Sequence, residues 1–335
     1  NLGNHHHHHH HIGNNLGNHH HHNHHHVNGN GNGHHHDAQH HGSHDLIGTQ
    51  SNCHSSSSHI TSLQLINPQY NSLVCTGSSD GSVRIWRAYN GIDYGFNPQL
   101  VTAFHLMPEL QPHRTGLGMI LLWDQNQTRF YATSDQNDVR IIKVWDAQSE
   151  SKVQDLPTCA EYGVSCLSSD GEHSIAAGFL DGSIRIYDTR LKKTDCRTFT
   201  FRKHSEKILA LHMFKPGEKH INLVSGDSGG EVRFWDKRVP TSVKRVDVGQ
   251  KMNVMSVHPN ADVFACGLNS GQGIKIYNLD GTSRAGCVIK GQENNFFNSR
   301  HNPSVSCLAF HPLMTSLVAG YSDAVISIYS SRATP

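Results

Sequence analysis

From residue 59 onward, apolar and polar residues follow one another in short runs that do not have helical spacing. ITSLQLI (60–66) alternates as a half-buried strand does, and SLVCTG (72–77) and SVRIW (82–86) follow as two further runs. Pro68 breaks the first run, and the residues Ser79-Asp80-Gly81 form a turn between the second and the third. The pattern predicts a unit of short antiparallel strands, and no part of the chain shows a convincing helical period.

The same unit returns along the chain, and segments such as 152–157 and 196–201 supply a fourth, outer strand. The third strand of each copy ends on an aromatic residue: Trp86, Trp145, Tyr187, Trp235, Tyr277 and Tyr329. Successive aromatic residues are 42 to 59 positions apart, and a period of roughly 40–45 residues with a Trp-Asp-like ending is typical of WD-type propeller blades. One small sheet cannot bury both of its faces, whereas sheets packed around an axis do. The sequence therefore predicts an all-β WD-repeat β-propeller over residues 59–335.

The number of blades has two interpretations. Six copies are visible, whereas WD propellers commonly close with seven, so either a seventh blade lies upstream of Asn1 or six units close by themselves. The chain begins without an initiator Met and reads as a fragment of something longer, which favours the first interpretation. We therefore predict a seven-bladed propeller of which this chain carries six blades.

Composition separates residues 1–58 from the rest. They consist almost wholly of His, Asn, Gly and Ser, and residues 1–59 hold 22 of the 31 histidines. Such a segment has too few apolar side chains to offset the entropy of ordering, so we predict that it is disordered. Its imidazoles suggest metal or pH sensing, but without fixed geometry they would bind metal weakly and unselectively. We interpret the tract as a tolerated low-complexity insert and assign no metal site.

Charge and motif content exclude several functional classes. The net charge is +1 without a basic block, which gives no footprint for nucleic acid. No apolar run approaches the roughly 18 residues of a membrane span, so we predict no membrane insertion. The eight cysteines form no C-x-x-C pair, which favours buried, reduced thiols in a cytosolic protein. No nucleophile elbow, phosphate loop or paired-carboxylate motif occurs, so we predict a non-enzymatic protein with no catalytic residue and no cofactor.

Some polar residues have positions expected of a structural repeat. Asp80, Asp181 and Asp323 each lie six residues before their aromatic residue, and His204 precedes a strand. In the fourth copy that position holds Gly229, which puts the usual His–Asp pair of this blade in doubt. We expect these residues to satisfy buried polar groups.

Three features are candidates for protein interaction. Arg190 and Arg238 each lie two residues after the Asp that ends a blade strand, which resembles the W-D-x-R motif of propellers that dock onto cullin ubiquitin-ligase adaptors. The alternative to a docking role is that each arginine is simply solvated at the end of its strand. Phe296 and Phe297 lie in a long polar insertion (about 279–303), where they either anchor a partner or pack under their own loop. Arg114 lies in another long insertion, about 88–118.

The material between and within the repeats resembles the C-terminal WD-repeat region of the Raptor family, the regulatory-associated proteins of the TOR kinase. The resemblance runs in order from about Ile60 to Ser330 and includes non-consensus features such as RTGLG (114–118) and KVQDLPT (152–158). Further matching segments are GMILLWD (118–124), VRIIKVWD (139–146), DGSIRIYDTR (181–190), EVRFWDKRVPTSV (231–243), VHPNADVFACG (257–267) and SVSCLAFHP (304–312).

The resemblance implies a scaffold subunit of TOR complex 1, which recruits substrates and regulators and couples nutrients to growth. Implied partners are TOR kinase, other complex subunits, kinase substrates and small-GTPase regulators. The implied location is cytoplasmic, with recruitment to the lysosomal or vacuolar surface through partners. The family's caspase-like and armadillo-type regions are absent here, so their residues for kinase contact and substrate docking are not carried over. The alternative function is a substrate receptor of a cullin-type ubiquitin ligase.

Overall fold

The structure is a computed structural model. It describes residues 58–67, 73–87, 99–110, 118–136, 138–269, 273–289 and 303–330. All of these belong to one compact unit, Leu46–Pro335. The segment predicted to be disordered lies, apart from its last residue, outside the described residues, and the boundary at 58/59 stays a prediction.

The described residues form strands and turns without a helix, and therefore contain no helix that is long and apolar enough to cross a membrane. The strands are β1 (Ile60–Ile66), β2 (Leu73–Ser78), β3 (Ser82–Arg87), β4 (Gln99–His105), β5 (Met119–Asp124), β6 (Arg129–Ser134), β7 (Ile141–Asp146), β8 (Ser151–Pro157), β9 (Val164–Ser169), β10 (Ser174–Phe179), β11 (Ser183–Asp188), β12 (Arg197–Arg202), β13 (Ile208–Met213), β14 (Leu223–Asp227), β15 (Glu231–Trp235), β16 (Lys244–Asp247), β17 (Met252–Val257), β18 (Val263–Leu268), β19 (Ile274–Asn278), β20 (Ser283–Ile289), β21 (Val305–Phe310), β22 (Ser316–Tyr321) and β23 (Ile326–Ser330).

These strands make six antiparallel sheets in which hydrogen-bonded neighbours follow chain order. Five sheets have four strands, and the sixth has three among the described residues, β21-β22-β23. The first strands of successive sheets pack against one another, in the series β1, β5, β9, β13, β17 and β21. This is the arrangement of blades around an axis, and it confirms the predicted all-β propeller.

The core lies between the sheets. Phe234 of the fourth sheet meets Phe264 of the fifth with ring centroids 6.0 Å apart, and Phe201 of the third stacks on Trp235 of the fourth at 4.5 Å. Strands β14 and β18 are buried at every residue because both of their faces are covered. This explains why the second-strand segments read as nearly continuous apolar or small-residue runs.

A glycine in the second strand of most sheets lets the next sheet approach. A Cβ atom on Gly178 would lie 2.6 Å from the side chain of Ile208 in the next sheet, and one on Gly226 would lie 2.8 Å from Met255. Gly77 and Gly267 face Met119 and Val305 in the same way, at 2.7 Å. The glycines at these positions are therefore required by the spacing of the blades.

The two ends of the series keep apolar side chains exposed. Leu63 and Leu65 of β1 are 61% and 55% exposed, and Ile326 and Ile328 of β23 are each 73% exposed. Gly320 of the sixth sheet has only Cys307 of its own sheet near its Cβ position, at 2.6 Å. These exposed faces are what a further blade between the sixth and first sheets would cover, and the count of seven blades stays a prediction.

Gly178→Ala is predicted to destabilise the protein by about 1–3 kcal/mol, because the added methyl group forces apart two packed sheets. Gly320→Ala is the matched control, because Cys307 is exposed and free to move aside. The measurement is the urea midpoint of unfolding for each variant. Equal midpoints for Gly178→Ala and the native chain would show that the spacing between sheets tolerates a side chain here.

Candidate functional site

Four buried side chains of the fourth sheet form one hydrogen-bonded network, called here the His204 network. His204, which lies before β13, places Nδ1 2.8 Å from Asp227 Oδ2 and Nε2 2.7 Å from Ser225 Oγ. Trp235 Nε1 donates to the same Ser225 Oγ at 2.8 Å. Asp227 also accepts the backbone N–H of Glu231 at 2.9 Å, so the network ties the turn between β14 and β15 to the incoming loop.

The network is structural rather than reactive. Its order, Asp–His–Ser, is that of a nucleophilic triad. However, Ser225 is fully buried and its oxygen is occupied by the indole N–H of Trp235, so no substrate reaches it. Burial alone would raise the pKa of Asp227, but its hydrogen bonds with His204 and with backbone N–H groups hold that pKa below its usual range. The structural role expected of His204 stays a prediction.

The same region contains a cluster with metal-ligating atoms. The ligand atoms of His204, Asp227 and Glu231 lie within 4.8 Å of one another. Nδ1 of His204 already donates to Asp227, and Glu231 pairs with Arg233 at 2.9 Å and with Arg245. Because a metal would compete with all of these bonds, we interpret the cluster as a hydrogen-bonded network.

The doubt about this blade is resolved by Asp227, which lies eight residues before Trp235 and was missed by the sequence interpretation. Asp80 and Asp181, at the six-residue position, each accept the backbone N–H two residues ahead at 2.9 Å and so cap the turn. Asp323 does the same for Val325 at 3.2 Å. The signal that could have found Asp227 is its place at the end of β14, beside a Gly-Gly turn.

The aromatic residues that end the third strands satisfy their polar atoms in different ways. Trp86 Nε1 donates to Thr76 Oγ1 at 3.0 Å. Thr76 holds the position in β2 that Ser225 holds in β14, because each is paired with the residue two before its tryptophan. Ala132 stands at that position in the second sheet, and Trp145 Nε1 is buried without a partner. Ala177 and Ala319 stand there in the third and sixth sheets, where the aromatic residue is tyrosine.

The tyrosines direct their hydroxyl groups elsewhere. Tyr187 donates to the carbonyl of Thr158 at 3.0 Å, and the hydroxyl groups of Tyr329 and Tyr321 are 2.7 Å apart. Tyr277, which ends the third strand of the fifth sheet, is buried against Phe264 with ring centroids 5.3 Å apart.

Arg190 and Arg238, the candidate interaction pair, follow the third strands of adjacent sheets and so lie at the same end of those sheets. Each guanidinium folds back onto its own aspartate: Arg190 lies 2.6 Å from Asp188, and Arg238 lies 2.6 Å from Asp236. The side chains remain 63% and 78% exposed. The hydrogen bonds from Arg238 hold the pKa of Asp236 down at about 2, and those from Arg190 lower the pKa of Asp188.

Arg114, Phe296 and Phe297 lie outside the described residues, and their interaction roles stay predictions. The arginine pair remains a prediction as well, because its geometry fits both a docking surface and solvated strand ends.

The sequence comparisons agree with the blade geometry. The family described as "WD domain, G-beta repeat" matches residues 46–87, 151–188, 195–236 and 293–330. The fold is that of a WD-repeat β-propeller protein.

Similar proteins show to which family within this class the chain belongs. The chain is 32% identical over 281 residues to "Target of rapamycin complex 1 subunit mip1" of Schizosaccharomyces pombe, covering 82% of this chain and 20% of the relative. It is 32% identical over 290 residues to "Protein raptor homolog" of Dictyostelium discoideum, covering 85% and 18%. The crystal structure of Chaetomium thermophilum Raptor superposes with a TM-score of 0.70 at 26% identity, covering 83% of this chain and 24% of that one. The chain belongs to the Raptor family, and it spans about a fifth of the length of the curated relatives it matches.

Ser225→Ala is predicted to destabilise the protein by roughly 1–3 kcal/mol for each polar group it leaves without a partner, here Trp235 Nε1 and His204 Nε2. Ser306→Ala is the control, since that exposed hydroxyl only donates to Gly320 at 3.1 Å. The unfolding midpoint in urea measures the effect. A Ser225→Ala midpoint equal to that of Ser306→Ala would contradict a stabilising role of the network.

Replacing both Arg190 and Arg238 by Ala is expected to leave the thermal midpoint nearly unchanged, because both side chains are exposed and contact only neighbouring aspartates. The variant therefore separates binding from folding. The ubiquitin-ligase hypothesis predicts that a cullin adaptor is captured by the native chain and not by the variant. Absence of capture by the native chain, or equal capture by both, rejects that hypothesis.

Proposed function

We propose that this chain acts as the propeller of a non-enzymatic scaffold subunit of TOR complex 1. The observation that carries the proposal is identity of 30–32% to two proteins named as subunits of that complex, over more than four-fifths of this chain. The superposition with the Chaetomium thermophilum structure, which covers 83% of this chain, supports the same assignment.

The physical basis is a rigid frame that presents loops. Buried clusters between sheets and a satisfied polar network hold the blades in fixed relation, while turns and strand ends remain available to partners. The seryl, histidyl and carboxylate groups with catalytic potential in the His204 network are enclosed, which favours binding over catalysis. A frame of this kind brings proteins together without altering them.

The partners follow from the proposed membership. We propose TOR kinase and the other subunits of the complex as direct or indirect partners, with kinase substrates and small-GTPase regulators recruited through the assembled subunit. The proposed setting is the cytoplasm, with recruitment to the lysosomal or vacuolar surface through those partners. The proposed output is nutrient-responsive control of growth.

The protein, affinity-tagged at its own gene, is expected to co-purify TOR kinase and other subunits of the complex from fed and starved cells. Mass spectrometry of the eluates makes the measurement. The matched control exchanges residues 59–330 for an unrelated WD propeller, which preserves the fold and removes this surface. Eluates of the native protein that contain no subunit of the complex in either state would overturn the proposal.

A further inference from the structure

A pocket opens at one end of the third sheet, opposite to the end at which Arg190 and Arg238 lie. Its volume is about 390 Å³, and it lies where the chain leaves the second sheet, beside the turn between β10 and β11 and the exit of β12. Residues from these three segments line it: Cys159, Glu161, Tyr162, Asp181, Ser183, Arg185, Arg202 and His204. Loops between sheets and turns between second and third strands lie at the same end of each blade, so the pocket belongs to one face of the propeller.

Arg185 is the unusual member of this lining. Arg185 is only 4% exposed, yet it takes part in none of the ion pairs between the described residues. The guanidinium donates to the carbonyl oxygens of Thr158, at 2.6 Å, and of Cys159, and it lies 5.0 Å from the ring centroid of Phe179. Its Nε atom is buried without a hydrogen-bond partner. Buried arginines are rarely left without an anionic partner, since desolvation of the charge is costly.

The other charges around the pocket are mixed. Arg202 adds an exposed second cation, while Glu161 and Asp181 add carboxylates at the rim. One oxygen of Asp181 is occupied by the N–H and hydroxyl of Ser183, at 2.9 and 2.6 Å. His204 is already committed to Asp227 and Ser225 and supplies no free charge. Two arginines attract one anionic group, and two carboxylates disfavour a run of negative charge.

Tyr162 adds an apolar contact. It is 49% exposed at the edge of the pocket, although most tyrosines of the described chain are buried. Tyrosine and arginine are enriched among the residues that contribute most to binding at protein interfaces, and this pocket places both together.

We propose that this pocket binds the side-chain carboxylate of a partner peptide in which basic residues flank the acidic one. The carboxylate supplies the anionic partner that Arg185 lacks and is also held by Arg202. The flanking basic side chains meet Glu161 and Asp181, and the backbone packs on Tyr162. The pocket is a site in its own right, and peptide binding to this chain does not depend on membership of TOR complex 1.

The test titrates short peptides with Gly-Ser flanks into the 335-residue chain by calorimetry. A peptide with a Lys-Glu-Lys centre is expected to bind about tenfold more tightly than peptides with Lys-Gln-Lys or Glu-Glu-Glu centres, because only the first matches both signs of charge. Equal binding of the Glu and Gln peptides overturns the proposal. Tighter binding of Glu-Glu-Glu, or of a Lys-phosphoserine-Lys peptide, also overturns it, in favour of a polyanion or phosphate site.

Variants locate the binding. Arg202→Gln is expected to weaken the Lys-Glu-Lys peptide about tenfold by removing a charge-assisted hydrogen bond, and Tyr162→Ala is expected to weaken it by a smaller factor. Arg197→Gln is the matched control, since Arg197 is an exposed arginine at the opposite end of the same strand. Arg185→Gln is expected to abolish binding. If Arg185→Gln fails to fold, Arg202→Gln alone tests whether the peptide binds in this pocket. Native affinity in Arg202→Gln contradicts the proposal.

Discussion

Close contact between successive sheets is the interaction on which the rest of this structure depends. Each sheet is too small to bury its own faces, and stability comes from side chains that interdigitate with the next sheet. Gly178 and Gly226 permit that approach, because any side chain there would collide with Ile208 or Met255. The turns, the polar network and the surfaces available for binding all take their positions from this spacing.

Burial between sheets then imposes a second requirement, since polar atoms carried inside need partners. The His204 network answers it in the fourth sheet by linking an indole, a hydroxyl, an imidazole and a carboxylate. The arginine pair and the pocket at Arg185 lie at opposite ends of the blades, where strands end and burial gives way to solvent. The rigid centre and the adaptable ends are thus two results of one packing arrangement.

Much of the fold could be predicted from local pattern, because strand alternation, turn residues and the recurring aromatic endings all act over short distances. Trp86 and Tyr187 were recognisable from spacing alone. Asp227 was not, because it lies at the end of β14, two positions before the place that Asp80 holds in a turn of the same length. The pocket could not be foreseen either, since Arg185 meets the carbonyl oxygens of Thr158 and Cys159 only after two sheets have packed together. Contacts between residues distant in sequence carry no signal in a single chain.

The aromatic residues that end the third strands have different hydrogen-bond partners, and this difference distinguishes one blade from another. Tyr187 reaches back to Thr158 at the exit of the preceding sheet, whereas Trp235 is satisfied within its own sheet and incoming loop. A blade placed beside the wrong neighbour would leave the hydroxyl of Tyr187 buried without an acceptor, at a cost of roughly 1–3 kcal/mol. Repeats that look alike in sequence are therefore not interchangeable during assembly of the ring, and misordered or domain-swapped arrangements are penalised by the same hydrogen bonds that stabilise the native order.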